Sequence, residues 1–512
     1  MTQIKIAKFH SCQSHRVSKG AEPITKGRMP ALILLIAAFC LSGCSYPTRN
    51  VLASDLAQTK GYRWTNLRPA HVSDTLVIVT ASGGGTRAAV LELSVLEALH
   101  QVRLKSGDTL ADEIDVLSSV SGGSVTAAYF ALHGTSGFSD LENKFIRQDG
   151  VAAMLKAGAN PVGLAKLSTP AVERIDLLID YLNKTLFTQH ETFADLLARG
   201  QRPYLVLNAA DMVEGIPFAL TQNNFDLLCS DLSRMPLATA VAASAAFPVA
   251  LSPVTLTNYS QCSAQKSQPD WPPAWVVSDA DTDWYTNPER AGRGRVELAY
   301  ALGASANAPK TYIHLLDGGI ADNLGIAEPF RMLTTNSPAP GYLDAFAEGD
   351  IKKIVFIMIN ARSFASSDLD HEQATPGIMD MLMGSIDSAI DRTTAGSAQR
   401  LRDALGEAFT AAAAGYQSSQ PRFAANLKAM PANTHLVEID FDAIPDATCR
   451  QNFHGIGTSW TNSKTQIDGL LQVGGALLAG SPQFQSAVDA VGGRLEGSLP
   501  TLVAACQTVA GH

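Results

Sequence analysis

The alternation of apolar strand-like runs with helical stretches, which begins at Leu76, most strongly limits the fold of this chain. The run over 76–81 is typical of a buried strand, and a helical pattern follows from Ala88 to about Val102. Further buried-strand patterns lie at 204–209 and 354–361. Strands that alternate with helices predict a mostly parallel sheet with right-handed crossovers. We therefore expect an α/β fold whose ligand site lies beyond the carboxyl ends of the strands.

A serine lies at one of the turns where a strand passes into a helix. An apolar run over 114–120 ends at Ser121, and a helix-forming stretch follows. A nucleophilic serine is commonly held on such a turn, written G-x-S-x-G because the flanking side chains must be small. Here the small residues are Ser119 and Gly123, with Gly122 directly after the serine. Alone, the pattern is equally typical of an ordinary turn.

Three consecutive glycines, Gly83, Gly84 and Gly85, separate the first predicted strand from its helix. Their amides are unshielded at the positive end of a helix, which suits them to hold an anionic oxygen as an oxyanion hole. The same stretch satisfies the G-x-G-x-x-A pattern of a dinucleotide site, which needs an acid at the end of the second strand. That strand ends in the turn at Ser121 without such an acid, so we expect no cofactor. A purely structural glycine turn stays open.

A carboxylate ends another strand-like run. Asp317 closes the apolar stretch that begins at Tyr312, and it is followed by Gly318 and Gly319, which are too small to screen it. An acid in this position can act as the general base for a serine hydroxyl. An isolated D-G-G is more often a plain turn, so this interpretation depends on the glycine loop and the serine turn earlier in the chain.

In this order, the glycine-rich loop, the serine turn and the D-G-G sequence resemble the patatin-like phospholipase family. The stretch over 240–248 is similar to the segment that precedes the aspartate strand in that family. The resemblance implies a three-layer α/β/α fold with a mostly parallel central sheet, and hydrolysis of acyl esters of lipids without a catalytic histidine. Carried over to this chain, it makes Ser121 the nucleophile, Asp317 the base, and the amides of Gly83, Gly84 and Gly85 the oxyanion donors.

Two further positions bear on the resemblance. Arg87 matches the basic residue that usually follows the glycines, where it either braces the loop or lies in solvent at the start of the helix. Ser119 replaces the first glycine of the serine turn, a departure that removes no reacting atom. The resemblance extends over about 76–500 and is dense over 76–132 and 240–325.

Two other functions stay open. His454 follows the serine and the aspartate in the chain order that one class of serine hydrolases uses, so it could complete a Ser-His-Asp triad. Alternatively, the chain is a lipoprotein that binds lipid or a protein partner and retains the hydrolase residues without turnover.

The amino-terminal region resembles the signal peptide of a bacterial lipoprotein. Basic residues precede an apolar run over 31–41 that is too short to span a bilayer. A Leu-Ser-Gly-Cys sequence at 41–44 resembles a lipobox, in which Cys44 becomes the lipidated first residue. Ser45 fits sorting to the outer membrane, so we expect a lipid-anchored protein that faces the periplasm.

These features divide the chain into a signal peptide, a lipidated tether and a hydrolase domain with a helical carboxyl-terminal part: 1–43, 44–75 and 76–512. The amphipathic stretch over 150–200 predicts either a cap over an acyl pocket or ordinary core helices. A polar insertion over 257–310 contains three tryptophans, which either seat in a membrane interface or anchor the loop on the body.

Net charge limits the binding partners that we expect, and the cysteines indicate disulfides. Removal of residues 1–43 changes the net charge from −9 to about −14, because six basic residues and one acidic residue are lost. This charge argues against a nucleic-acid partner and against tight electrostatic binding to anionic lipid. Four cysteines remain besides Cys44, and in an oxidising periplasm their proximity in the chain favours two disulfides, Cys229–Cys262 and Cys449–Cys506. Their spacing shows no zinc pattern, and we predict no metal.

Overall fold

A computed structural model describes most of the chain from residue 48 onward. The described residues are 48–57, 59–70, 73–159, 172–305, 308–335, 343–364, 373 and 375–511. The predicted signal peptide over 1–43, the lipidation site Cys44 and residues 160–171 of the amphipathic stretch over 150–200 lie outside them.

The described residues contain twelve strands, and eight of them form one mixed sheet. The strands are, in chain order, β1 Thr75–Ala81, β2 Val102–Arg103, β3 Val116–Val120, β4 Tyr204–Asp211, β5 Pro217–Leu220, β6 Val254–Thr257, β7 Ala304–Ser305, β8 Ala308–Pro309, β9 Tyr312–Asp317, β10 Lys353–Asn360, β11 Thr434–Asp440 and β12 Arg494–Leu495. The sheet has the order β11-β10-β1-β3-β4-β9-β6, with β5 also paired to β4. Strands β11, β10, β1, β3 and β4 run parallel, whereas β9 is antiparallel to both β4 and β6.

Helices complete an α/β/α architecture. The α-helices are α1 Gly85–His100, α2 Gly122–His133, α3 Phe138–Leu141, α4 Gly150–Ala159, α5 Ile175–Thr185, α6 Phe193–Arg199, α7 Gln222–Leu227, α8 Leu237–Ser244, α9 Ser263–Lys266, α10 Ala274–Ala280, α11 Pro288–Leu302, α12 Gly319–Asp322, α13 Ala327–Thr334, α14 Leu343–Glu348, α15 Ile378–Tyr416, α16 Pro421–Ala429, α17 Ala447–His454, α18 Lys464–Gly480, α19 Pro482–Ala490 and α20 Leu502–Ala510. Every residue of β1, β3 and β4 is buried, as expected for strands covered on both faces. The α/β prediction is confirmed.

Helix α1 is buried along almost its whole length because it packs between the sheet and a second layer of helix. The Ser94 hydroxyl donates to the carbonyl oxygen of Leu471 in α18 at 2.7 Å. Gly474 of α18 lies so close that an added Cβ would be 2.8 Å from the Ser94 Oγ. This arrangement explains why the helical pattern after the glycine loop is apolar nearly all round.

Residues 48–70, where the sequence predicts a tether, pack against the domain. The Asn50 side chain donates to the Ser230 hydroxyl at 2.6 Å and to the Thr257 carbonyl oxygen at 2.8 Å. Arg63 forms a buried ion pair with Asp226, with 2.6 Å between Nη2 and Oδ2. The polar composition that suggested a linker therefore serves buried hydrogen bonds, and the described part of this segment belongs to the folded body.

The stretch over 150–200 and the insertion over 257–310, each of which had two interpretations, also pack largely against the rest of the folded domain. Helix α5 buries Leu178 and Leu182, so this part of the 150–200 stretch forms core. In the insertion, Trp271 and Trp275 both pack against the hydrophobic core, and Trp275 also lies under the guanidinium of Arg331, a residue outside the insertion, at 4.8 Å. Two of the three tryptophans thus anchor the insertion.

Both predicted disulfides, Cys229–Cys262 and Cys449–Cys506, are present and are confirmed. Among the described residues, none of the helices combines the length and the apolar character that crossing a bilayer needs. The same part of the chain contains no cluster of three or more His, Cys, Asp or Glu residues placed to hold a metal ion.

Candidate active site

Ser121 lies on the turn between β3 and α2, where it has a φ of 51° and a ψ of −117°. A positive φ is uncommon for a residue other than glycine and marks a turn that its surroundings hold in place. The glycine loop approaches this turn closely, because a Cβ added at Gly122 would collide with the Gly85 carbonyl oxygen. Gly85 itself has a φ of 59° and faces the Ser459 backbone just as closely. Glycine is therefore required at both positions.

The predicted nucleophile and base are in direct contact. The Ser121 hydroxyl donates to Oδ2 of Asp317 at 2.7 Å, across 196 positions of the chain. The other carboxylate oxygen accepts a hydrogen bond from the Gly319 amide at 2.9 Å. The pairing of Asp317 with Ala209 in β4, next to the end of β3, brings the carboxylate to the serine turn.

The environment of Asp317 makes it more basic than an ordinary aspartate. Burial raises the pKa of its carboxyl group to about 6, although the hydrogen bonds from Ser121 and the Gly319 amide act in the opposite direction. The carboxylate is thus ionised at neutral pH, with a pKa close enough to neutrality to suit a general base.

Ser244, at the carboxyl end of α8, holds the serine turn in position. Its hydroxyl accepts a hydrogen bond from the Ser121 amide at 2.9 Å and donates to the Asn208 carbonyl oxygen at 2.5 Å. The Ser124 Oγ lies 2.8 Å from the same hydroxyl and accepts a hydrogen bond from the Ser119 Oγ at 3.3 Å. Ser119, the departure from the glycine pattern, therefore extends a chain of hydroxyls beneath the turn.

The sequence analysis did not identify Ser244 as a site residue. The available signal was its position, because it is the only hydroxyl residue in the otherwise apolar stretch over 240–248. A polar side chain within such a stretch is buried and needs hydrogen-bond partners, which here are parts of the serine turn.

The predicted set of oxyanion donors needs one correction, because Asn323 occupies the amide of Gly83. The Gly83 amide donates to the main-chain oxygen of Asn323 at 3.1 Å and to its Oδ1 at 3.2 Å, so the prediction for Gly83 is wrong in this conformation. Within the described residues, the amides of Gly84 and Gly85 have no hydrogen-bond acceptor. The amide of Gly122, directly after the serine, has none among those residues either. Three main-chain donors beside the serine turn are thus free to hold an anionic oxygen.

Arg87 braces the glycine loop. Its guanidinium donates to the Ile456 carbonyl oxygen and, at 3.2 Å, to the Thr458 hydroxyl. The preceding amide, of Thr86, donates to the Ser459 carbonyl oxygen at 2.8 Å. Arg87 is buried, and burial lowers its pKa to about 10. Of the two roles that the sequence left open, the structure shows the brace.

Two glycines after the base position are also tightly packed. A Cβ at Gly318 would collide with the Asn208 carbonyl oxygen, and one at Gly319 would be 2.9 Å from the Asn323 Oδ1. Gly123 is equally confined, because a Cβ there would be 2.9 Å from the Ser82 carbonyl oxygen. The small residues of both motifs allow the two turns to pack together.

His454 is not brought to the dyad. Its Nε2 lies 2.9 Å from Oδ1 of Asp442, and its Nδ1 lies 3.2 Å from the Arg362 carbonyl oxygen. Both ring nitrogens are thus engaged, while the Ser121 hydroxyl is bound to Asp317. The geometry does not support a triad that uses His454.

The site combines a hydroxyl bound to a buried carboxylate with main-chain amides that are free to donate. These are the groups that acyl transfer through a serine requires, since one activates the nucleophile and the other stabilises developing negative charge.

A match to one protein-family model agrees with this chemistry. Residues 79–330 match the family model described as a patatin-like phospholipase. No curated protein matches the chain.

Among solved structures, human GIVD cytosolic phospholipase A2 is similar at 14% identity, covering 60% of this chain and 47% of that chain with a TM-score of 0.31. Its complex with methyl gamma-linolenyl fluorophosphonate is similar at 15% identity, covering 65% and 48% of the two chains with a TM-score of 0.31. The ExoU–SpcU complex from the type III secretion system of Pseudomonas aeruginosa is similar at 13% identity, covering 95% and 83% with a TM-score of 0.17. The chain spans about half the length of the human phospholipase that it matches.

Proposed function

Because residues 79–330 of this chain belong to the patatin-like phospholipase family, we propose that the protein hydrolyses fatty-acyl esters of lipids through a Ser121–Asp317 dyad. The observation that carries the proposal is the 2.7 Å hydrogen bond from the Ser121 hydroxyl to the buried Asp317 carboxylate. The family match supports lipid acyl hydrolysis in general. Within that class we propose the phospholipase A or lysophospholipase type.

The first half of the proposed reaction acylates the serine. Asp317 accepts the hydroxyl proton through Oδ2 while the Ser121 oxygen attacks the ester carbonyl carbon. The carbonyl oxygen becomes an oxyanion, which the amides of Gly84 and Gly85 stabilise. Collapse of this intermediate breaks the ester bond, and the departing alcohol takes the proton from Asp317.

The second half releases the fatty acid. Asp317 accepts a proton from water, which attacks the acyl-enzyme and forms a second oxyanion at the same amides. Cleavage of the acyl–serine bond frees the fatty acid, and the proton returns from Asp317 to Ser121. No histidine is needed, because the carboxylate contacts the hydroxyl directly.

We also propose that a lipid on Cys44 anchors the protein to the outer membrane, facing the periplasm. The lipobox-like sequence at 41–44 supports this location, and so do the two disulfides, which persist in an oxidising compartment. Metabolic labelling with a fatty-acid probe tests it, since the label should disappear in a Cys44→Ser variant.

Labelling with a fluorophosphonate probe tests the nucleophile. We expect the probe on Ser121, and we expect no labelling of a Ser121→Ala variant. Ser136→Ala, which alters an exposed serine, is the matched control and should label normally. A folded protein that never labels would instead favour the lipoprotein that binds lipid or a partner without turnover.

Lipid analysis tests the substrate class. The purified protein should release free fatty acid from phospholipid or lysophospholipid vesicles, as measured by mass spectrometry, and the Ser121→Ala variant should not. Labelling without release from any acyl lipid would contradict the proposed substrate class while leaving the nucleophile in place.

A further inference from the structure

The amino-terminal end of α15 presents an apolar face to solvent. Ile378, Met381 and Leu382 are 83%, 50% and 44% exposed, and their spacing places them on one side of the helix. Asp391, thirteen residues further along α15, pairs with Arg362 near the end of β10 at 3.2 Å. At 1.5 Å per residue, the helix places Ile378 about 20 Å beyond this contact.

Other exposed apolar residues lie at the same end of the sheet. Phe364 follows the carboxyl end of β10 by four residues and is 43% exposed. Val151 and Leu155 are exposed on α4, and the first residue of that helix, Gly150, donates to the Trp460 carbonyl oxygen at 3.2 Å. Trp460 directly follows Ser459, whose carbonyl oxygen accepts the hydrogen bond from the Thr86 amide beside the glycine loop. We call Val151, Leu155, Phe364, Ile378, Met381 and Leu382 the apolar rim.

The chain also enters the folded body at this end. Asn50 exchanges two hydrogen bonds with the backbone of Thr257, the last residue of β6, each at 2.8 Å. Strand β6 begins level with the end of β4, because Val254 and Asp211 both pair with Leu315. Asn50 therefore lies beyond the carboxyl end of β4, as the reacting serine lies at the carboxyl end of β3.

We infer that the apolar rim docks on a lipid bilayer, so that the active site faces the membrane that holds the protein. Cys44 lies six positions before Asn50, and an extended chain of that length spans at most about 20 Å. A lipid on Cys44 thus brings a bilayer to the end of the domain that carries the rim. Exposed apolar side chains at the end of a domain that carries the reacting serine mark an interaction surface, and lipid is the partner that this anchor supplies.

The chemistry of the rim defines the kind of membrane contact. Its six side chains are uncharged, and the mature chain is acidic at about −14, so insertion of apolar groups drives the contact. Docking therefore does not require anionic lipid, and vesicles of phosphatidylcholine are sufficient. The inference rests on the proposed function for its substrate and on the proposed anchor for its orientation.

A fluorescence experiment tests docking independently of turnover. The described cysteines are all in disulfides and Cys44 would carry lipid, so a single introduced cysteine can be labelled with an environment-sensitive dye. The protein, produced in bacteria from the full chain and carrying Ser121→Ala, is reconstituted in phosphatidylcholine vesicles. Brominated lipid should quench a dye at Leu382→Cys at least fivefold more than a dye at Val503→Cys.

Val503 is the matched control because it is 68% exposed and lies toward the opposite end of the domain. Pro500, three residues earlier, packs within 3.1 Å of a Cβ added at Gly475, a position that also lies against Ala98 near the end of α1. Equal quenching at both positions would overturn the inference. If the dye at position 382 stays exposed to water on vesicles but is shielded from water in the cell envelope, the rim binds a protein and not lipid.

An activity experiment separates failure of docking from failure of the proposed function. The triple variant Ile378→Asp, Met381→Asp, Leu382→Asp should lower hydrolysis of vesicle phospholipid at least tenfold. Its rate on a soluble short-chain ester should stay within twofold of the unaltered protein, because the hydrogen bonds of Ser121 are made by Asp317 and Ser244, which the variant leaves unchanged. Val503→Asp should change neither rate. Equal losses on both substrates, or no loss on vesicles, would refute docking, whereas an unaltered protein inactive on both would refute the proposed function alone.

Discussion

The dyad predicts a distinctive loss of activity in acid. Asp317 must be ionised to accept the Ser121 proton, and its pKa is about 6 because it is buried. With a single group titrating at that value, about nine tenths of the protein is competent at pH 7 and about one tenth at pH 5. The rate constant kcat/KM should therefore fall about tenfold per unit below pH 6, about two units higher than for an ordinary aspartate.

The protonation of Asp317 does not itself destabilise the folded state. A carboxyl group with a raised pKa in the folded state contributes stability that is fully present below its unfolded pKa, and it loses that contribution as the pH rises through about 6. Protonation of Asp317 thus removes activity while it favours the folded state.

Initial rates on a soluble p-nitrophenyl ester between pH 4.5 and 8.5 measure the profile, and circular dichroism checks folding at each pH. The His454→Ala variant is the control and should keep the same midpoint. A midpoint near 4, or an acid limb that vanishes in the His454→Ala variant, would refute the reasoning.

Three substitutions test the supports of the site and of the fold. Gly85→Ala should lower kcat roughly 100-fold or more in steady-state assays with little change in KM, since it displaces a donor loop that stabilises the transition state. Ser244→Ala should lower kcat about tenfold and slow fluorophosphonate labelling without changing the thermal midpoint by more than a few degrees, because it frees the nucleophile's amide. Arg63→Ala should cost about 3–5 kcal/mol in urea unfolding because it leaves Asp226 buried without its cation. Loss of the exposed Lys60–Asp55 pair in Lys60→Ala should leave the free energy of unfolding nearly unchanged.

The reacting residues were readable from the sequence because each one ends a strand. An apolar run that stops at a serine next to glycines places that side chain beyond the carboxyl end of a parallel strand, where ligands bind. Asp317 ends β9, which is antiparallel to β4, and it reaches the same place because β9 pairs only with the last three residues of β4. Ser121 and Asp317 were found in this way, and the hydrogen bond between them agrees. The disulfides were also predictable, because each links two consecutive cysteines of the region after Cys44, which are 33 and 57 positions apart.

The remaining features depend on contacts that linear order does not contain. Nothing near Gly83 indicates that Asn323, 240 residues away, accepts its amide proton. The residues over 48–70 are polar enough to form a linker, yet the partners of Arg63 and Asn50 lie more than 150 positions further on. A buried polar pair and a solvated one have the same composition, so only the fold distinguishes them.

Part of the support of the glycine loop lies outside the residues that match the family. The match ends at residue 330, but the brace on Arg87 and Thr86 comes from residues 456–459. Strands β10 and β11, which extend the sheet beyond β1, also follow the matched region. Because an oxyanion hole depends on fixed main-chain donors, the carboxyl-terminal part of the chain is a structural component of the site. The reacting groups of this protein thus come from the region that matches the family, while the rigidity that they require comes in part from residues beyond it.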